Sequence, residues 1–342
     1  MICLGIEGTA HTMGVGIVDD KCRILSNASK MIMPISGGIH PREAADFHAK
    51  HLPEIIQSVV EGAKISYGDI DLIAFSQGPG LGPCLRTAAT AARTLALSLK
   101  IPIIGVNHCI AHLEIGKKTT NCKDPMLLYV SGGNTQVIAF ANGRYRVFGE
   151  TLDIGLGNML DKFGRYLGFP FPAGPKIEEL SEKGKKYIGL PYSVKGMDVA
   201  FSGILTASML LLKQNCCIED LCYSIQETTF AMLTEVTERA MAHAEKNEVL
   251  LGGGVVRNKR FQEMVKTMAK DRAAKFFVPK GELCVDNGAM IAWTGMIMHK
   301  GGVRMGIKDT EINQRMRVDD VDVVWRRLNN YNRNRMCNLK EK

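Results

Sequence analysis

The sequence predicts an α/β protein built from two related halves with a cleft between them. Strand-like apolar runs alternate with helix-like stretches, which is the pattern of α/β folds. Two hairpin signatures of one layout stand far apart, "GIEGTAHTMGVGIV" at 5–18 and "LYVSGGNTQVIAF" at 128–140. A chain of 342 residues, 46% hydrophobic and 23% charged, is long enough for two domains with real cores.

In chain order, "ICLGIE" (2–7) and "MGVGIV" (13–18) flank a polar tip and read as a β-hairpin. Residues 40–65 carry helical apolar spacing ending near Gly62. "DLIAFSQGPG" (71–80) is a strand entering a Gly/Pro loop, 84–100 an Ala-rich helix, and "IPIIGVNH" (101–108) a strand. The pattern restarts with the hairpin at 126–140, and helices are expected at 155–167, 175–184, 201–214 and 219–246. "EVLLGGGVVRNKRFQEMVKTMA" (248–269) reads as strand, glycine turn and helix, and 284–299 as a loop opening an apolar helix. The expected division is an N-terminal domain 1–125, a C-terminal domain 126–325 and a flexible basic tail 326–342. The helix near 286–300 could pack back on the first domain.

The formal charge of +8 is uneven: residues 326–342 hold six basic residues and one acid, leaving +3 for the body. Such a tail suits a disordered arm touching RNA, or a linker to a further domain. No apolar run approaches the roughly 20 residues that cross a bilayer. The N-terminus lacks signal-peptide features, so a cytoplasmic protein is expected. The ten cysteines are scattered without any C-x-x-C, so they read as buried, reduced thiols.

Several short motifs could bind a ligand. The tip "SGGNT" (131–135) has two glycines that let the backbone approach an oxyanion, with donors from Ser131, Asn134 and Thr135; it is equally good turn chemistry. "LGGGVVRN" (251–258) could admit a flat ring such as adenine, with Asn258 fixing a hydroxyl, or could simply be tight strand–helix packing. Asp161 in "GLGNMLDKFGR", and Glu178 three residues after Pro175, could hold ribose hydroxyls or Mg²⁺, or serve structure alone.

Of eight histidines, His40, His48 and His51 belong to one expected helix or its edge and read as a solvated face. His108 and His112 in "NHCIAHLE" are four apart, so one helical face would offer both imidazoles to a metal. Asp286 is a candidate third ligand, and Tyr129 could add a phenolate. The zinc-peptidase pattern H-E-x-x-H needs a glutamate directly after the first histidine, where Cys109 stands. The inverted order H-x-x-E-H fails at Ala111. The metal reading survives without the peptidase reading.

Together, "GIEGTAHT", "NHCIAHLE", "YVSGGNTQV", "GETLDIGLGNMLDKFGR", "VKGMDVAFSG", "QETTFAMLTEVTERA", "LLGGGVVRN" and "VDNGAMIAW" resemble the tRNA N6-adenosine threonylcarbamoyltransferase family of the archaeal and eukaryotic type, over about residues 2–325. The resemblance implies the actin-like ATPase fold shared with sugar kinases and heat-shock chaperones. It implies membership of the KEOPS complex, with a kinase-like ATPase and a small dimer-forming subunit as partners. The implied reaction moves a threonylcarbamoyl group from threonylcarbamoyl-adenylate to N6 of the adenosine 3′ of the anticodon, in tRNAs reading codons that begin with A. By the same resemblance, His108, His112 and Asp286 hold one iron or zinc ion, with Tyr129 nearby. Ser131, Gly132 and Gly133 meet the phosphate and acyl end. Asp161, Gly174, Glu178 and Asn258 hold the nucleoside end of ATP or the adenylate. Tyr129, Val130, Asn134, Gly253 and Gly254 complete that surface, with Mg²⁺ as a possible companion. The bacterial branch has an acid where His11 stands, so either His11 or a metal-bound group would be the general base. The rival from another class is an actin-like ATP-binding scaffold without chemistry.

Overall fold

The computed structural model describes residues 1–34 and 38–326. The first half runs β1 (Ile2–Glu7), β2 (Thr12–Asp19), β3 (Ile24–Met31), α1 (Pro41–Ala63), β4 (Leu72–Gly78), α2 (Gly82–Leu99) and β5 (Ile103–Asn107), and α3 (His108–Thr120) follows. The second half runs β6 (Met126–Val130), β7 (Thr135–Ala141), β8 (Arg144–Glu150), α4 (Leu156–Tyr166) and α5 (Gly174–Ser181). It continues through a short β9–β10 hairpin (Val194–Lys195, Asp198–Val199), α6 (Ser202–Lys213), α7 (Ile218–His243) and β11 (Glu248–Gly252). Last come α8 (Lys259–Asp271), β12 (Lys275–Phe277), α9 (Gly281–Cys284) and α10 (Gly288–Lys300).

The two main sheets repeat one topology. The first is ordered β3-β2-β1-β4-β5 and the second β8-β7-β6-β11-β12. In each, a three-stranded antiparallel meander continues into two parallel strands. The duplication seen in the two hairpin signatures is therefore a duplication of whole sheets.

Burial explains which strands the sequence displays. β1, β2 and β6 are covered on both faces, so they are nearly continuous apolar runs. β3, "ILSNASKM", mixes polar and apolar residues and buries none of them fully, and β12 is only three residues long, so neither stands out. α1 buries Leu52, Ile55, Ile56, Val59 and Val60, a three-to-four spacing that lays one face on β2 and β3. His48 on that face is 0% exposed. This corrects the solvated-face reading, because the i+4 step to Leu52 turns His48 inward. His40 precedes the helix exposed, and His51 stays at its rim beside Lys30 and Glu54.

α10 packs on β1, β2 and β4 of the first sheet. Its start touches the strands backbone to backbone. A Cβ on Gly16 would lie 2.2 Å from Ala289 N, and one on Gly5 2.2 Å from Ala292 N. Asp286 stands two residues before this helix, so the contact also fixes that carboxylate. Gly16→Ala is expected to destabilise the fold by about 2–3 kcal/mol, because only backbone could yield. Urea unfolding checks this, and a variant within error of the parent would show the contact to be loose.

All nine described cysteines are free, and six of them are buried. Among the described residues no helix is long and apolar enough to cross a membrane. The tail expected at 326–342 lies outside the described residues beyond Arg326.

Candidate functional site

α3 joins the halves. Asn107 ends β5 and caps the helix by accepting from Ile110 N at 3.1 Å; Lys117 and Lys118 sit in its last turn, where positive charge is favoured. The helix lies among β4, β5, β6, β11 and α10, and residues 108–116 are all buried. His108 and His112 share one face, with ring centroids 4.9 Å apart. That face meets Tyr129, near the end of β6, and Asp286, just before α10.

One ligand atom each from His108, His112 and Asp286 falls within a 4.8 Å cluster. The Nε2 atoms of both histidines approach the same Asp286 oxygen at 3.3 Å. The Tyr129 hydroxyl is 3.0 Å from His108 Nε2. On its other side, His108 Nδ1 lies 2.9 Å from Glu7 Oε2. A carboxylate accepts only, so Nδ1 donates. Burial works against charge on His108, but Glu7, Tyr129 and Asp286 outweigh it and hold its pKa well above the usual imidazole value. Burial, joined by the charge of His108, pushes His112 down despite Asp286. Burial would raise Asp286, but the two histidines overcome it and hold the carboxyl well below its usual range. Two imidazole nitrogens and one carboxylate oxygen thus converge on one position. Two imidazoles and a carboxylate suit iron or zinc better than Mg²⁺ or Ca²⁺.

The tip of the second hairpin lies next to this cluster in sequence and space, because Tyr129 and Val130 lead into it. Ser131 N donates to Asn134 O at 2.8 Å, and Asn134 N to Ser131 Oγ at 3.2 Å. The Ser131 amide is therefore engaged within the turn. The start of α4 closes on the tip, with Gly157 N on Ser131 O at 3.1 Å and Asn158 N on Gly132 O at 2.9 Å.

The glycine turn after β11 has two characters. Gly253 takes φ +98°, and a Cβ there would meet Val130 O at 2.2 Å, which is the tight-packing reading. Gly254 has only Val285 Cγ1, at 4.0 Å, and Gly174 has nothing within 4 Å, so both present open backbone. Asn258 caps α8 through Phe261 N and donates to Gln226 Oε1 at 2.7 Å. Glu178 Oε1 accepts from Lys259 N at 2.9 Å, bringing α5 to the start of α8. Asp161 Oδ1 accepts from Ala173 N at 2.8 Å, and burial raises its pKa. Asn258, Glu178 and Asp161 thus each have a structural partner, and Asn258 engages both its amide oxygen and its amide nitrogen. His11 stacks edge-on against Phe171 at 5.7 Å and acts electrostatically on Asp161, outside the three-residue cluster.

The family model for tRNA N6-adenosine threonylcarbamoyltransferase matches residues 23–293. The enzyme of that name from Thermococcus kodakarensis is 60% identical over 326 residues, covering 95% of this chain and 100% of its own length. The chain belongs to the tRNA N6-adenosine threonylcarbamoyltransferase family. The family's namesake from Thermococcus gammatolerans is 58% identical, again over its full length. A Methanothermobacter thermautotrophicus protein named Probable bifunctional tRNA threonylcarbamoyladenosine biosynthesis protein is 58% identical, and the chain spans 61% of it. Among solved structures, Thermococcus kodakarensis HypF superposes with TM-score 0.63 at 13% identity, covering 91% of this chain and 49% of HypF. Component A of Acidaminococcus fermentans (R)-2-hydroxyglutaryl-CoA dehydratase gives 0.55 at 13% identity, covering 86% and 98%. These distant structures support the actin-like ATPase fold expected from the motifs, and the family bears out the transferase reading.

Glu7, Glu114 and Gln226 were not singled out in the sequence. The available signal for Glu7 was an acid closing an otherwise apolar strand. Glu114 offered none, since its partners lie 31 and 211 residues away.

Proposed function

We propose that the chain transfers the threonylcarbamoyl group of threonylcarbamoyl-adenylate to N6 of the adenosine 3′ of the anticodon in tRNAs reading codons that begin with A. The observation that carries the reading is the convergence of His108, His112 and Asp286 beside the Ser131–Asn134 tip. A scaffold that only binds ATP has no use for that cluster. An iron or zinc ion held there, with Tyr129 alongside, would supply Lewis acidity toward the carbamoyl or threonyl oxygens.

The remaining work falls to the chain's own groups. The N–H groups of Gly132 and Gly133 face the acyl phosphate and stabilise its negative charge. Asp161, Gly174, Glu178, Gly254 and Asn258 line the nucleoside end, which ATP or Mg²⁺-bound nucleotide could also occupy. The N6 amine attacks the carbamoyl carbon, the bond to the AMP oxygen breaks, and one proton leaves N6. His11, whose ring packs edge-on against Phe171, is the candidate among the chain's own groups to take that proton, with a metal-bound group as the alternative. Orienting two bound reactants supplies much of the rate. We further propose a cytoplasmic enzyme that works within KEOPS, with α1 as the docking face for a partner.

The purified chain, its partner subunits, threonylcarbamoyl-adenylate and unmodified tRNA are expected to give N6-threonylcarbamoyladenosine, read by mass spectrometry of digested tRNA. Absence of the product with all components present and metal loaded would refute the assignment. ATP binding without transfer would favour the scaffold.

A further inference from the structure

We propose that Glu7 is the positioning residue that aims His108 at the metal and locks it to the loop after β1. This rests on the metal reading above. Glu7 is 0% exposed, and its two oxygens serve different neighbours. Oε1 accepts from Thr9 N at 2.8 Å and Thr9 Oγ1 at 2.5 Å. Oε2 accepts from His108 Nδ1 at 2.9 Å. A buried carboxylate is costly unless its lone pairs are met, and these three donors meet them.

The fold brings Glu7 and His108 together across 101 residues of sequence. Glu7 closes β1, and His108 follows the last residue of β5. β4 lies between the two and runs parallel to both. Both side chains therefore stand at the carboxyl ends of the parallel strands, where open α/β sheets place their ligands. Gly8 N, donating to Ser76 Oγ at 3.0 Å, ties the same loop to β4.

The chemical consequence is directional. With Nδ1–H held by Glu7, the neutral, metal-binding form of His108 carries its lone pair on Nε2, the atom facing Asp286 and Tyr129. A carboxylate behind a metal-binding histidine fixes its tautomer and raises its basicity. Glutamine at position 7 cannot do both jobs. With its oxygen toward Thr9, its amide donors face Nδ1, and the imidazole hydrogen must move to the metal-facing nitrogen. With its oxygen toward His108, the amide confronts the Thr9 donors and opens the loop.

The test measures zinc affinity of the full chain by competition with a chromophoric chelator. Wild type is expected to bind one zinc, and the double variant H108A/H112A none. Glu7→Gln should bind about 10- to 100-fold more weakly. Glu7→Asp, with its carboxylate withdrawn by one methylene, should also weaken binding. Cooperative thermal melting establishes that each variant is folded. In zinc-loaded wild type, nitrogen NMR of the imidazoles should place the His108 proton on Nδ1 and the metal on Nε2. This readout decides the matter if neither variant folds. A folded Glu7→Gln with wild-type zinc affinity, or zinc on Nδ1, would overturn the role of Glu7. Zinc bound equally by H108A/H112A would instead overturn the metal reading itself.

Discussion

The double variant His108→Ala, His112→Ala is expected to purify without iron or zinc and to lose threonylcarbamoyl transfer by about 10³-fold or more. The first half of this follows from the ligand count. Three side chains converge, and removal of two leaves the Asp286 carboxylate with the Tyr129 hydroxyl, too weak a set to retain a transition metal. The second half follows from the several kcal/mol that a Lewis acid supplies to a developing oxyanion, at tenfold in rate for each 1.4 kcal/mol or so. The backbone groups of the Ser131–Asn134 tip remain, so a residual rate above background should persist. The double variant also leaves the buried Glu7 carboxylate short of one donor, which costs about 1–3 kcal/mol of stability. Asp286→Asn separates the two effects. It keeps size and hydrogen bonding, leaves Glu7 paired with His108, and removes the negative ligand. It should melt near the parent temperature and still show much-reduced metal content by elemental analysis. Full transfer by a double variant that carries no metal would sink the metal mechanism.

What the sequence discloses here follows from how far each interaction reaches. The hairpins, the Ala-rich α2 and the amphipathic α8 depend on neighbours a few residues away, so period and turn chemistry reveal them. The i, i+4 spacing of His108 and His112 is of the same kind, and the two rings do share a face. Glu7 is different. Its partner is set by sheet order, β1-β4-β5, which no local pattern encodes. His48 is polar in type, but helical phase sets it on the buried face of α1 with Leu52 and Ile55, and phase prevails over type. The Gly-rich segments were ambiguous for a physical reason. A missing side chain serves close packing at Gly253 and leaves open space at Gly254, and only the neighbouring backbone distinguishes them.

Trp325→Ala should be the most destabilising single substitution near the end of the described chain, at about 3–5 kcal/mol. Trp325 is 7% exposed and backs onto Gly301, where an added Cβ would lie 3.0 Å from its own. Its indole Nε1 donates to Glu114 Oε1 at 2.8 Å. The Tyr145 hydroxyl donates to the same oxygen, and Lys117 Nζ meets Oε2 at 3.1 Å. Burial would raise the Glu114 pKa, but Lys117 and these donors overcome it and keep the carboxyl ionised. The next residue, Arg326, lies 4.2 Å over the Phe140 ring and donates to Lys123 O at 3.0 Å. Residues 325–326 therefore strap the end of the described chain across α3, β7 and β8, on the same helix that carries both candidate metal ligands. Trp325→Phe divides the effect: it keeps one aromatic ring but removes the N–H and the fused second ring, so it should cost about 2–3 kcal/mol. Urea unfolding at neutral pH measures both. A Trp325→Ala protein within 1 kcal/mol or so of wild type would show that the strap adds little to the fold. An equal loss in the Phe and Ala variants would instead place the stabilisation in what the indole alone supplies, its N–H to Glu114 and its fused second ring, rather than in the packing of one aromatic ring.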